Sequence, residues 1–143
     1  MAPAKKNVLK KVANLMRNLD FCMLTTHTSR GRLRARPMSN NGEVEFDGDV
    51  WFFSAADSRK VREIEANPVV QLSYADLGAW RFVSMTGRAK VVRDLEKKQE
   101  LWQKELERWF DEGPESDAIV LLKVTPSSVS YWTRKDQGEL NLK

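Results

Sequence analysis

One cysteine (Cys22) and one histidine (His27) are all that this 143-residue sequence has of the two residue types most used for metal sites and nucleophilic pairs. A single cysteine excludes an internal disulfide and fits a reducing compartment. Metal-ligand spacings of Cys and His, a GxSxG elbow, a glycine-rich phosphate loop and a paired-carboxylate pattern are also missing. No catalytic side chain and no metal ligand is therefore assigned, and His27, at a turn, is given no chemistry. Long apolar runs are absent too. The longest, residues 50–53 and 118–122, fall far short of the ~20 residues of a membrane span. Residues 1–11 are basic and lack the unbroken apolar core of a signal peptide. The expectation is a cytoplasmic protein with no membrane partner.

What is present is enough for one core. Apolar residues make up 41% and charged residues 31% of the chain, the balance of a single globular domain over residues 1–143. The net charge of +4 is unevenly placed. Residues 1–36 hold nine basic side chains and one acidic one, leaving 15 basic and 19 acidic groups in the rest. That asymmetry points to an anionic partner near the first quarter.

Residues 3–19 read as an amphipathic helix with Val8, Val12, Leu15, Met16 and Leu19 on one face and a solvated basic face opposite. Phe21–Thr26 and Leu33–Ser39 read as a hairpin, followed by a turn at Asn40–Gly42. Glu43–Phe46 and Val50–Ser54 read as strands flanking the tight connection Asp47-Gly48-Asp49. A short helix capped by Asp57 or Ser58 ends at Asn67-Pro68. Val69–Tyr74, then Arg81–Thr86 and Arg88–Arg93 about a bulge at Gly87, continue as strands. Asp94 caps a helix expected to reach about Phe110, with Leu95, Trp102, Leu106 and Trp109 on its buried stripe and a Glu100–Lys104 pair. Ala118–Val124 and Val129–Thr133 read as two last strands, and residues 134–143 as a polar tail. Short antiparallel connections with three helices suggest a closed or nearly closed barrel.

One segment carries a chemical signal. Trp51-Phe52-Phe53-Ser54 delivers the chain to a helix start at Ser58-Arg59-Lys60, where free N–H groups, a hydroxyl and two cations suit a phosphate. Arg36 adds a guanidinium if the hairpin pairs alongside. The plainer alternative is that Ser58 is an N-cap and Arg59 and Lys60 are exposed first-turn residues. Pro37, within Arg36-Pro37-Met38-Ser39, marks an edge strand or a place where a ligand approaches the chain. Of the five tryptophans, Trp102 and Trp109 read as core and Trp132 as an exposed aromatic platform. Cys22, inside an apolar strand, reads as a buried, inert thiol.

In order along the chain, Phe21–Thr26, Arg36-Pro37-Met38, Trp51–Ser54 running into Ser58-Arg59-Lys60, and Asn67-Pro68 with Val70–Tyr74 resemble the pyridoxamine 5′-phosphate oxidase-like FMN-binding split barrels. Phe82-Val83-Ser84, Gly87-Arg88-Ala89, Trp109-Phe110 with Glu112-Gly113-Pro114, and Leu121–Val124 leading to Tyr131-Trp132 are closest to the general stress protein 26 branch. The resemblance implies a mainly β fold with flanking helices, a split β-barrel, and a homodimer with flavin at the subunit interface. It implies that Ser58, Arg59 and Lys60 hold the FMN phosphate and that Arg36 reaches phosphate or ribityl. Pro37 and Met38 would run beside the ring, Phe53 and Ser54 would line the cofactor, and Trp132 would wall the ring, from either subunit. FMN is the implied cofactor, with FAD or a deazaflavin as alternatives. The C-terminal arginine and histidine motif of the true oxidases is missing and Phe82 stands where they carry a glutamine, so pyridoxamine phosphate is not the implied substrate. The functional expectation is a flavin-dependent oxidoreductase linked to stress. The alternatives are a non-catalytic flavin module and, ranked last, a nucleic-acid-binding protein using residues 5–11 and 30–34.

Overall fold

The computed structural model describes residues 3–17, 19–39, 46 and 48–142. The first helix, α1 (Pro3–Met16), buries Val12, Leu15 and Met16 and exposes Lys6 and Lys10, as its periodicity dictates. Lys11, its side chain still 40% exposed, pairs with Asp136 at the surface and lies over the Tyr131 ring, 5.3 Å from its centre.

Among the described residues seven strands form one antiparallel sheet. They are β1 (Phe21–His27), β2 (Leu33–Ser39), β3 (Val50–Ala55), β4 (Val69–Asp76), β5 (Arg81–Val92), β6 (Ile119–Trp132) and β7 (Gln137–Asn141). The order is β2-β1-β4-β5-β6-β3, with β7 paired to the second half of β6. Among the described residues no strand pair closes this ladder, so β2 and β3 are its ends, where a closed or nearly closed barrel was expected. The strand expected over 43–46, the turn at 40–42 and Asp47 of the next turn lie outside the described residues, except Phe46, which packs against the main core. Inward residues of the central strands (Cys22, Leu24, Leu72, Tyr74, Val83, Met85, Val129) meet Val61 and Ile64 of α2 (Arg59–Ala66) in that core. A smaller cluster joins Phe53, Ile119 and Leu121 to Leu101 and Leu106.

Several expectations need correction. The residues expected as two strands at the end of the chain form the single 14-residue strand β6. Proline is tolerated inside it because Pro126 sits opposite Gly87, where β5 shifts register in a bulge after Thr86 and the ladder needs no donor. A Cβ at Gly87 would lie 2.4 Å from the Thr125 carbonyl oxygen, so the close approach of β6 requires glycine there. The expected bulge is thus real, within one continuous β5. The polar tail supplies β7, and His27 ends β1 rather than lying in the turn.

The helix begun at Asp94, whose carboxylate accepts from the N–H groups of Glu96 and Lys97, stops at Leu101. This helix, α3 (Leu95–Leu101), gives way to extended backbone at Trp102 and Gln103 and then a 3-10 turn, Lys104–Arg108. The break seats Trp102 edge-on against Phe53, with ring centres 5.2 Å apart, and still buries Leu106. It also turns Trp109 outward, 60% exposed, against the reading of it as core. The ion pair on α3 is Lys97–Glu100 at 3.2 Å instead of Glu100–Lys104.

Candidate functional site

The β1–β2 hairpin and the start of α2 enclose a cleft of about 510 Å³ lined by Leu33, Arg34, Ala35, Arg36, Arg59 and Lys60. Strand pairing brings Arg36 opposite Leu24, and its guanidinium is locked from below. It donates to the Leu24 carbonyl (3.2 Å), the Thr26 hydroxyl (2.7 Å) and the Glu63 carboxylate (3.0 Å). Thr26 itself donates to Glu63 at 2.8 Å. Among the described residues these contacts use three of the five guanidinium N–H groups, leaving donors available to a ligand.

The other half of the cleft is the N-terminus of α2. Ser58 occupies the cap position but makes no side-chain cap bond. Its hydroxyl lies 3.1 Å from that of buried Ser54 at the end of β3. The first N–H groups of the helix are therefore uncapped by a side chain. Lys60 is partly buried and has no carboxylate partner among the described residues. Desolvation, and then the field of Arg36, hold its pKa below the ordinary 10.5. Arg36 is lowered too, by desolvation first and with Arg34 and Arg59 contributing, while Glu63 opposes the shift. Cations crowded around uncapped helix amides cost free energy unless an anion joins them. The residues present fit a phosphate group.

The remaining expected site residues divide. Pro37 is exposed on β2, an end strand of the ladder, while the Met38 side chain belongs to the core. The Phe53 side chain packs into the smaller cluster on the opposite face from Ser54, so only its main chain faces the Ser54 side. Trp132 is 41% exposed but stands at the far end of β6 from Ile119, the residue that pairs with Ala55. It is not among the residues that line the α2 cleft. Sequence reasoning missed Thr26 and Glu63. The only signal was a carboxylate one position before Ile64 on the buried side of α2. Cys22 is buried as expected, and burial pushes its thiol up to about 12.

No helix among the described residues is long and apolar enough to cross a membrane, and they contain no metal-binding cluster of His, Cys, Asp and Glu. Fold and cleft together define a class: a mainly β, antiparallel split barrel with flanking helices and a cationic cleft where β2 meets α2. Residues 7–142 match the family described as pyridoxamine 5′-phosphate oxidase like, and the chain belongs to that family. It is 30% identical to general stress protein 26 of Bacillus subtilis over 113 residues, covering 76% of this chain and 80% of that protein. The crystal structure of general stress protein 26 from Bacillus anthracis superposes with a TM-score of 0.82 at 22% identity, over 95% of this chain and 99% of that one. A pyridoxamine 5′-phosphate oxidase-related, FMN binding protein from Nostoc punctiforme gives a TM-score of 0.65 at 16% identity, over 97% and 90%.

Proposed function

We propose that this chain is a flavin-binding protein of the cytoplasm that holds the phosphate of FMN at the start of α2 and works as a homodimer. The observation that carries the reading is the partly buried Lys60, without a carboxylate partner among the described residues, at an uncapped helix start and lining one cleft with Arg36. Ser58, Arg59 and Lys60 hold the phosphate through hydroxyl, main-chain and charged donors. Arg36, fixed by Glu63 and Thr26, meets it or the ribityl chain from the other side. The main chain at Pro37 and Met38 runs beside the ring, and Ser54, with the main chain of Phe53, lines the cofactor. The bound flavin supplies hydride or electron transfer, and the protein supplies grip, orientation and a cationic field. Turnover as an oxidoreductase depends on a substrate reaching the ring. A flavin carrier without turnover would use the same residues.

One feature supports the dimer. Phe21, Met23, Phe82 and Trp132 share the outward face of the sheet with the small residues Ser73, Ala75, Ser84 and Ser130, as the strand registers dictate. Phe21, Met23 and Trp132 are 52%, 41% and 41% exposed, and a face of aromatics among small residues suits a flat partner.

Tryptophan fluorescence titration with FMN and with riboflavin, which lacks the phosphate, tests the reading. FMN should bind at least about tenfold more tightly than riboflavin. Lys60→Ala should remove most of that difference and leave riboflavin unchanged. Equal affinities for the two ligands, or no binding of either, would refute it.

A further inference from the structure

The phosphate cleft does not end at Arg34 and Arg59. Both residues also line a second cleft of about 670 Å³, bordered by His27, Thr28, Ser29, Arg30, Arg32, Arg62, Glu63, Ala66 and Asn67. It runs along α2 toward the tip of the β1–β2 hairpin. Five arginines (30, 32, 34, 59 and 62) face it. None has a carboxylate partner among the described residues, and its one acid, Glu63, is buried and already committed to Arg36 and Thr26.

Hydrogen bonds order the main chain of the hairpin tip that carries Arg30 and Arg32. The Thr28 hydroxyl accepts from the N–H groups of Arg30 (3.3 Å) and Arg32 (3.1 Å), and the Thr28 main chain bonds Arg32 and Gly31 at 2.8 and 2.9 Å. Gly31 takes φ 74°, as this tight turn requires. Arg62 is held by its bond to the Asp57 carbonyl at 2.6 Å. The five arginines are exposed, and their summed positive field over one cleft favours an anion there.

We infer that the arginine cleft is a second anion subsite for the same ligand, receiving the charged group that an extended flavin carries beyond its first phosphate. This deepens the flavin reading and rests on it. Its volume is that of a small-molecule site, and it is continuous with the phosphate cleft through the shared arginines. A single-stranded nucleic acid fits less well, since the cleft presents no Phe, Tyr or Trp on which bases could stack. The shared chemistry is a second phosphate or a carboxylate: the adenylate side of FAD carries the first, and an oligoglutamyl tail on a deazaflavin the second.

The test compares FMN, FAD and an oligoglutamyl deazaflavin on the wild type and on the double variant Arg30→Ala/Arg32→Ala. The turn is held by main-chain groups and Thr28, so the variant should keep its fold, checked by circular dichroism. FAD or the deazaflavin, whichever is the ligand, should lose about tenfold or more in affinity. FMN should change by less than about twofold. The ligand that loses affinity identifies phosphate or carboxylate as the second anion. If neither loses more than FMN, the inference is overturned while the flavin reading stands. If no flavin binds the wild type, both fall together. Micromolar, salt-sensitive binding of a single-stranded RNA oligomer that depends on Arg30 and Arg32, with flavin affinities unchanged, would also overturn it.

Discussion

Removing the charge of Glu63 should move stability and anion affinity in opposite directions. Glu63 is 8% exposed and its partner Arg36 18%, with 3.0 Å between them, so little water screens the pair. Glu63→Gln keeps an acceptor oxygen for Thr26 and Arg36 but converts charge-assisted bonds to weaker ones, at a cost of about 1–2 kcal/mol. Glu63→Ala leaves the guanidinium and the Thr26 hydroxyl without their buried acceptor, at a cost of about 3–5 kcal/mol. At ~3 °C per kcal/mol for a domain of this size, the melting point should fall by about 3–6 °C and about 9–15 °C respectively. The Gln variant also makes the cleft one unit more positive without dislodging Arg36. A dianionic phosphate several ångströms away then gains of order 1 kcal/mol, which tightens FMN binding by up to about tenfold. Thermal unfolding followed by circular dichroism and FMN titration of the same samples give both quantities. A Gln variant as stable as the wild type, or an Ala variant no worse than Gln, would refute the view that Glu63 anchors Arg36. Weaker FMN binding by a folded Gln variant would refute the electrostatic account of the cleft.

Gly87→Ala should destabilise the protein by roughly 3 kcal/mol, because the added methyl group meets main-chain atoms of Thr125 and Pro126 that have no rotamer by which to move aside. Urea unfolding measures this, and a loss below about 1 kcal/mol would mean the bulge relaxes. Cys22 ionises at 9.0 in an exposed setting, but burial holds the native thiol up to about 12, partly opposed by its bond with Tyr74. The unfolded chain therefore releases this proton first. The stabilising contribution is full below pH 9 and is lost as pH rises toward 12. Stability between pH 8 and 10.5 should fall more steeply in the wild type than in Cys22→Ala. Equal slopes would show that the thiol is accessible, as would alkylation of the native protein by iodoacetamide at pH 8.

The local chemistry of the chain was readable wherever short-range physics decides it. The hairpin over Phe21–Ser39, the helix after Ser58, the Asp94 cap and the bulge at Gly87 all follow from alternation, capping and breaker residues. The Arg36–Ser58–Lys60 constellation was legible for the same reason: a strand delivering cations to a helix start is a sequence pattern. The helix from Asp94 was misread because Trp102 and Leu106 satisfy both a helical stripe and a broken segment packed on Phe53, and only that packing chooses between them. The union of the last strands was missed because proline ordinarily breaks a ladder, and what accommodates Pro126 is a residue far off in the chain, Gly87.

The sequence by itself determined the apolar periodicities, the basic first quarter and the absence of nucleophile, metal and membrane signatures. Those depend on residue type and spacing alone. Tertiary structure decided where the charge goes. Residues 1–36 carry all of the excess positive charge, the remainder of the chain being net negative, and only the fold separates its members. Lys11 goes to Asp136, Arg36 to Glu63, and Arg30, Arg32 and Arg34 to a cleft shared with Arg59 and Arg62. Pairing of residues far apart in the chain is set by strand register and helix docking, and no local pattern encodes either.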